Sequence, residues 1–341
     1  MRCIRPLSSL TLASLVLTAV VPGAFAQATP FKDVPPNSSM YSAVAYLRDK
    51  GIMKGYEDGT FRPTQKVNRA EAVKIVLAPF VTQEQLDNAP VPVHTDVTKE
   101  DWFAPYVSLG VSKFGILDGP PKAATFQAGN PVLRVQFLKM FFLANKIDVN
   151  GNYSEIKLPL SADVQNTSEW YYPSIRMAVA TSMMMVAQDG TMTPAKELTR
   201  GDIALLLYRY YMYKDARRTQ ALLDETETEI VNVLQQLDKK EISQAEYASA
   251  RALIAARGAL SSKPDESIVK GAVKIAEGFQ LLVRAYKAGV DGKLTDVLQL
   301  TGDAWHLAEK AKEYSPNLAT VSAQMQTIAK NMADEARGLE R

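Results

Sequence analysis

The sequence contains a single cysteine among its 341 residues, and that cysteine lies at position 3. Because Cys3 precedes an apolar stretch that we interpret as a cleaved export signal, the mature chain is expected to have no disulfide and no thiol chemistry. The two histidines, His94 and His306, show neither metal-ligand spacing nor a nucleophile partner. The sequence therefore predicts no catalytic residue, no metal site and no cofactor.

An excess of one charge is also missing, since 39 lysines and arginines stand against 37 aspartates and glutamates. Residues 1–26 combine a basic start, an apolar stretch and a small-residue site before Gln27, which together indicate a secretory signal. Arg2 and Arg5 would leave with it, so the mature chain is nearly neutral and nucleic acid is not an expected partner. No later stretch is long and apolar enough to span a bilayer. We predict an exported protein at the cell wall or cell surface, or on the periplasmic face where an outer membrane is present.

One short sequence motif occurs three times in the chain, each time at the start of a predicted helix. Each copy places an arginine 36 to 38 residues after an Asp-Val pair. The arginines are Arg69, Arg134 and Arg200, and the aspartates are Asp33, Asp96 and Asp163. Repeats this short cannot bury their own apolar helix faces, so the three copies are predicted to stack into one domain.

The residues around each arginine predict how its helix begins. Asn68 and Glu71 fit a capping box, which places Arg69 at the first helical position. There the arginine lies beside free amide donors and the positive end of the helix dipole, a setting suited to an anion. The third repeat has an equivalent box, whereas the second has Leu133 where the cap belongs. The second helix is therefore predicted to start less firmly, by roughly 1 kcal/mol.

The first repeat carries a recognisable pattern. It reads Phe31-x-Asp33-Val34, then Gly51-Ile52-Met53-x-Gly55-Tyr56-x-Asp58-Gly59-x-Phe61-x-Pro63, then Asn68-Arg69-Ala70-Glu71. This resembles an S-layer homology motif that is nearly complete. The resemblance covers roughly residues 31–213 in three copies, at 31–80, 93–147 and 160–213. It says nothing about residues 214–341.

The resemblance implies a pseudo-threefold domain whose grooves hold an acidic, often pyruvylated, cell-wall polysaccharide and so anchor exported proteins. The family's glycan-contacting arginine falls on Arg69, Arg134 and Arg200, and its opening aspartate falls on Asp33, Asp96 and Asp163. Its aromatic residue falls on Trp102 and Trp170, with only Tyr41 available in the first copy. An arginine fork can bind a compact carboxylate, an aromatic ring suits a sugar face, and Gly55 would let the backbone approach the sugar.

Departures from the pattern predict that the grooves are unequal. The second copy replaces the Asp-Gly turn with Pro120-Pro121, and the third has Val186 where the first has Gly55. We expect Val186 to narrow the approach to Arg200 that a glycine would leave open, and at most one or two grooves to bind glycan well, with Arg69 favoured. Structural alternatives remain for each candidate. The arginines could bridge groups within their motif, the aspartates could be caps or turn formers, and the tryptophans could be core between repeats.

The sequence pattern of residues 214–341 is different, since it predicts helices and no strands. Predicted helices span about 215–238, 243–258, 265–289, 293–314 and 317–339. Apolar residues at alternating steps of four and three predict the seams of an antiparallel bundle or coiled coil. These seams serve either as bundle core or as a partner-binding face. The predicted fold is therefore mainly α, a three-motif domain followed by a helical bundle.

We interpret the protein as a non-enzymatic anchor: three motifs hold it to an acidic wall polysaccharide, and the bundle faces a protein partner or a second copy of the chain. One alternative is an envelope assembly protein that oligomerises through its helical half and keeps the repeats as degenerate scaffold. A second alternative is a wall-modifying hydrolase that uses carboxylates in the helical half.

Overall fold

The computed structural model describes residues 31–339, so the predicted export signal at 1–26 lies outside the described residues. Within 31–339, none of the helices combines the length and apolar character needed to cross a membrane. The same part of the chain contains twelve α-helices and only isolated β-bridges between short extended segments. The mainly α fold expected from the sequence is confirmed.

The repeats contribute the first seven helices. Each repeat supplies one helix before its loop and one that begins at its arginine, and a short helix follows the first repeat. In chain order they are α1 (Tyr41–Asp49), α2 (Arg69–Leu77), α3 (Gln83–Asp87), α4 (Ala104–Ser112), α5 (Arg134–Ala144), α6 (Tyr172–Ala180) and α7 (Arg200–Lys214).

A closed ring of backbone hydrogen bonds joins the three repeats at their centre. Val67 N–H donates to the Leu198 carbonyl at 3.0 Å, Val132 N–H to the Val67 carbonyl at 2.9 Å, and Leu198 N–H to the Val132 carbonyl at 3.0 Å. All three side chains are fully buried. Because each residue donates to one neighbour and accepts from the other, the arrangement has pseudo-threefold symmetry. The second repeat thus occupies an equivalent place in the ring despite its weaker motif.

Five long helices follow the repeats. They are α8 (Thr219–Asp238), α9 (Ile242–Ser262), α10 (Ser267–Val290), α11 (Leu294–Tyr314) and α12 (Ala319–Leu339), with a 3₁₀ turn at Pro316–Leu318. Their bounds agree with the predicted spans to within about one helical turn. The predicted seam residues Phe279, Leu282 and Met325 are buried. Helix α10 is central, since it packs against α8, α9, α11 and α12.

The bundle rests directly on the third repeat through contacts between α9 and α6. A Cβ added to Gly258 would overlap the Ala180 carbonyl oxygen, so the backbones approach closely here. Arg251 of α9 donates to the Leu160 carbonyl at 2.5 Å and forms a buried ion pair with Glu229 of α8. One continuous cluster of buried apolar side chains therefore runs through repeats and bundle.

Candidate functional site

Helices α2, α5 and α7 begin at the three repeated arginines, as the sequence predicts. Glu71 N–H donates to Asn68 Oδ1 and Asn68 N–H donates to Glu71 Oε2, both at 2.9 Å. The third repeat forms the same box, so both predicted caps are confirmed. Leu133 provides no side-chain cap, and of the capping box only the bond from Leu133 N–H to Gln136 Oε1 remains, at 3.1 Å. The unequal start of the helices is therefore a feature of the structure.

Each arginine reaches out of its own repeat and onto a loop of the next. Arg69 Nε donates to the Phe126 carbonyl at 2.9 Å, and Arg200 Nε donates to the Phe61 carbonyl at 2.8 Å. Arg134 Nη1 donates to the Met192 carbonyl. The first repeat thus docks on the second, the second on the third, and the third on the first. The structural alternative assumed a bridge within one motif, but the bridge runs between motifs.

The repeated aspartates hold the loops that receive the arginines. Each carboxylate accepts two consecutive backbone N–H groups, and the second residue of each pair has a positive φ. Asp33 binds Phe61 and Arg62 at 2.7 and 2.7 Å, Asp96 binds Phe126 and Gln127 at 2.7 and 2.7 Å, and Asp163 binds Met192 and Thr193 at 3.0 and 2.7 Å. Burial acts to raise the pKa of Asp96 and Asp163, but hydrogen bonds outweigh it and lower the pKa of both: the Ser161 hydroxyl and the two backbone N–H groups at Asp163, and the backbone N–H groups at Asp96.

Three junctions result, which we name by the arginine that enters each: the Arg69, Arg134 and Arg200 junctions. The Arg69 junction contains a pocket of about 220 Å³, whose lining includes Arg69, Phe126, Lys139, Asp118 and Trp170. Arg69 lies 5.1 Å from the centre of the Phe126 ring. Its Nε is bonded, whereas its two terminal nitrogens make no hydrogen bond to any residue in 31–339. Burial of the half-buried Arg69 side chain lowers its pKa.

Lys139 adds a second positive charge and Trp170 an open ring to the Arg69 junction. Lys139 Nζ lies 5.6 Å from the centre of the Trp170 ring and 3.6 Å from Asp118 Oδ2. Trp170 is 56% exposed. The pocket thus combines an arginine fork, an ammonium group and an aromatic face, which are the elements needed to bind an anionic sugar.

The Arg200 junction keeps a lysine and a tryptophan, but a terminal nitrogen of its arginine already has a hydrogen-bond partner. Arg200 Nη2 donates to the Lys54 carbonyl at 2.7 Å, in addition to the bond from Nε. Its guanidinium lies 4.9 Å from the centre of the Tyr56 ring. At the positions that correspond to Lys139 and Trp170, Lys74 lies 5.2 Å from the centre of the Trp102 ring. Trp102 is 53% exposed, so neither tryptophan belongs to a core between repeats.

The Arg134 junction lacks both the lysine and the tryptophan of the other two junctions. Arg134 Nη1 also donates to Thr193 Oγ1 at 2.5 Å, so one of the two terminal nitrogens is engaged, while the buried Nε has no partner within 31–339. The pocket there measures about 110 Å³, and Leu205 takes the place of Lys139. Ser39 of the first repeat stands where a tryptophan stands in the other two. The remaining lining combines Met183, Met184 and Met185 with the charged side chains of Asp202 and Arg209.

Packing explains why the first repeat has Gly55 where the third has Val186. A Cβ added to Gly55 would overlap the Phe31 ring. Ser161 occupies the position of Phe31 in the third repeat, and this smaller side chain leaves space for Val186. The expectation that Val186 narrows the approach to Arg200 is wrong, because Val186 lies in the repeat that receives Arg134.

Two lysines and a histidine were missed by the motif. Lys74 and Lys139 each stand five residues after a repeated arginine, so their recurrence in two copies is the available signal. His94 is 3% exposed and lines the Arg69 pocket, whereas His306 lies on the surface of α11. Across 31–339 no cluster of three or more histidine, cysteine or acidic side chains is arranged to hold a metal ion.

Comparison with known proteins matches these repeats to a described family. The S-layer homology domain profile matches residues 30–73 and 162–204, which are the first and third copies. The chain is 26% identical over 225 residues to the surface-layer 125 kDa protein of Lysinibacillus sphaericus, covering 65% of this chain and 18% of that protein. It is 26% identical over 142 residues to the S-layer protein sap and 29% identical over 143 residues to the S-layer protein EA1, both of Bacillus anthracis.

The last two matches cover 42% and 41% of this chain, and 17% and 16% of those proteins. The chain therefore spans less than a fifth of the length of these relatives. The matches indicate a protein of the cell wall or cell surface that is attached through its repeats. On the profile matches and the ring of three docked repeats, this chain is an S-layer homology domain protein.

Proposed function

We propose that the three repeats hold the exported protein non-covalently to an acidic cell-wall polysaccharide, with the Arg69 junction as the principal binding site. The helical bundle would then present a protein partner, or a second copy of this chain, at the wall. The observation that carries the proposal is the pair of unbonded terminal nitrogens of Arg69 in a pocket that also contains Lys139 and Trp170.

The chemistry of the pocket favours an anion carried on a sugar. A carboxylate can accept two parallel N–H groups from a guanidinium, and such charge-assisted bonds are about twice as strong as neutral ones. A sugar ring can lie on the exposed face of Trp170 while the ammonium of Lys139 pairs with the anion. Gln136 supports this further, because it is neutral where the other repeats place Glu71 and Asp202.

The differences among the junctions rank them. The Arg200 junction retains Trp102 and Lys74, but Arg200 already donates to two carbonyls, so we expect weaker binding there. The Arg134 junction lacks the lysine and the tryptophan, its pocket has about half the volume, and one terminal nitrogen of Arg134 is already bonded, so we expect no useful affinity from it. In this proposal the loops are supported by Asp33, Asp96, Asp163 and Gly55. Their first role is to hold the loops rather than to contact the sugar.

Co-sedimentation of the chain from Gln27 onward with purified cell-wall sacculi tests the proposal. Arg69→Ala removes the fork, and the loss of charge-assisted bonds worth about 1.5–3 kcal/mol should weaken binding by about tenfold to a hundredfold. Arg134→Ala is the matched control, since it removes the corresponding arginine from the junction that lacks the lysine and the tryptophan, and we expect less than about a twofold change.

Thermal unfolding of both variants identifies any loss of binding that comes from unfolding. Sacculi stripped of their acidic polysaccharide provide the second control. If the wild-type chain fails to sediment with intact sacculi, or if Arg69→Ala and Arg134→Ala bind equally well, the proposed site is wrong.

A further inference from the structure

One position differs in all three repeats and lies two residues before each loop-holding aspartate. Phe31 occupies it in the first repeat and packs against Gly55. Ser161 occupies it in the third and donates to Asp163 Oδ1 at 2.6 Å. The second repeat has His94, which is buried beside the Arg69 pocket. The residue at this position therefore has a different partner in each repeat.

His94 makes a hydrogen bond that the phenylalanine of the first repeat cannot make. Its Nε2 lies 3.0 Å from the Asp118 carbonyl oxygen. A carbonyl only accepts, so Nε2 carries the proton and donates it. This bond fixes the orientation of the imidazole ring and provides the Asp118 carbonyl with a donor from within its own repeat.

The Asp118 carbonyl corresponds to the Lys54 carbonyl of the first repeat. Both residues stand three positions after a glycine with positive φ, at Gly115 and Gly51. In the Arg200 junction, the Lys54 carbonyl accepts from Arg200 Nη2 at 2.7 Å. In the Arg69 junction, the equivalent carbonyl accepts from His94 instead, and Arg69 keeps only its Nε bond within 31–339.

We propose that His94 is a specificity-determining residue, which satisfies the Asp118 carbonyl and thereby leaves the terminal nitrogens of Arg69 for an anionic ligand. Arg69 and Arg200 are otherwise held alike, each by Nε on the carbonyl of an equivalent phenylalanine. They differ in one terminal nitrogen: Arg200 Nη2 donates to the Lys54 carbonyl, and Arg69 makes no equivalent bond within 31–339. His94 acts as a positioning residue, and the inference rests on the proposed binding of an acidic glycan at Arg69.

This arrangement predicts what happens when the residues of two repeats are exchanged. His94→Phe, which introduces the residue of the first repeat, should release the Asp118 carbonyl and let Arg69 donate to it as Arg200 donates to Lys54. His94→Gln retains an N–H donor near the position of Nε2 and should keep the Asp118 carbonyl satisfied. Phe31→His should supply the Lys54 carbonyl with a donor and free Arg200.

Calorimetric titration with acidic polysaccharide released from the cell wall measures these effects on the full chain. We expect His94→Phe to bind about tenfold more weakly, as loss of one charge-assisted bond requires, and His94→Gln to bind within about twofold of wild type. Arg69→Ala is measured in parallel. Adding Phe31→His to Arg69→Ala should recover part of the lost affinity through Arg200.

The outcomes separate this inference from the proposed function. If Arg69→Ala binds as well as wild type, the proposed function fails. If Arg69→Ala loses binding while His94→Phe binds normally, the role of His94 is refuted and the proposed function stands. Equal losses in His94→Gln and His94→Phe would also refute it. If His94→Phe does not fold, recovery of binding by Phe31→His in the Arg69→Ala background supports the inference, and the absence of recovery overturns it.

Discussion

Glu225 on α8 is 8% exposed, and its carboxyl group lies among charges from α7, α8 and α9. Burial and the neighbouring Glu229 raise its pKa to about 7, while Arg251, Arg209 and Arg218 act in the opposite direction. Arg251 already binds both oxygens of Glu229, at 2.5 and 2.8 Å. Its positive charge is therefore largely committed to Glu229, and Glu225 keeps its proton at pH values where an exposed glutamate is ionised.

The raised pKa makes the stability of the protein depend on pH with a definite sign. Between pH 4.5 and about 7 the unfolded chain releases the Glu225 proton and the folded chain retains it. The stabilising contribution is thus complete below pH 4.5 and is lost as the pH rises through 7. A shift from 4.5 to about 7 corresponds to about 3 kcal/mol. Glu225→Gln stays neutral, so its free energy of unfolding should gain about 3 kcal/mol on wild type between pH 4.5 and pH 8.

Urea unfolding at several pH values, followed by circular dichroism, measures this difference. Asp224→Asn is the matched control, because it removes an exposed carboxylate from the same helix and should run parallel to wild type. Asp96 and Asp163, whose pKa is lowered, act mainly below pH 4, and both remain in every variant. A constant difference between Glu225→Gln and wild type from pH 4.5 to pH 8 would refute the reasoning.

Two further substitutions test how the bundle is attached to the repeats. Arg251→Ala leaves Glu229 buried without its partner and should cost about 3–5 kcal/mol in the free energy of unfolding, whereas Arg257→Ala, at a more exposed ion pair, should cost about 1 kcal/mol or less. Gly258→Ala places a Cβ against the Ala180 carbonyl and should lower the melting temperature. The control Gly302→Ala lies in open space on α11 and should raise the melting temperature. Equal shifts in the two variants would contradict the close contact of α9 with α6.

Features set by local sequence could be predicted well. The capping boxes at Asn68 and Thr199, and the missing cap at Leu133, depend only on residues three positions apart. The bundle helices could be placed because their apolar period is regular and their ends are marked by glycine and proline. For the same reason, the arginines were correctly placed at the first helical positions.

The partner of each arginine could not be predicted, because it lies in another repeat. Arg200 and the Phe61 carbonyl are 139 positions apart, and the spacing within a motif contains no information about which neighbour it contacts. The effect of Val186 was misjudged for this reason. Lys139 and His94 were missed because they matter only through the pocket that docking creates. Their distance from Arg69 in the sequence gives no indication that they share a site with it.

Main-chain contacts explain how the repeats keep one fold while their binding chemistry diverges. The loop-holding aspartates and the Nε groups of Arg69 and Arg200 bind backbone N–H and C=O groups, which are present whatever side chain occupies the position. Met192 can thus stand in the third repeat where the others have Phe61 and Phe126, and the backbone hydrogen bonds to the aspartate are kept. The lysine, tryptophan and histidine contribute only through their side chains, so a repeat can lose them and still fold.

The third repeat, which contacts the bundle, has Leu205 at the lysine position and Ser161 at the histidine position, while the tryptophan missing from the Arg134 junction is missing from the first repeat. Arg218, which precedes α8, donates to Ser182 Oγ at 2.8 Å, and Arg209 donates to the Met183 carbonyl at 3.3 Å. These bonds hold the same loop that lines the Arg134 pocket. This loop is held by Arg218 from the bundle side and by Arg209 from α7, and the pocket beside it, at about 110 Å³, has about half the volume of the Arg69 pocket. Attachment of the bundle therefore restrains the loop of the Arg134 junction, and under the proposed function the ligand binds at the Arg69 and Arg200 junctions, whose loops belong to the second and first repeats.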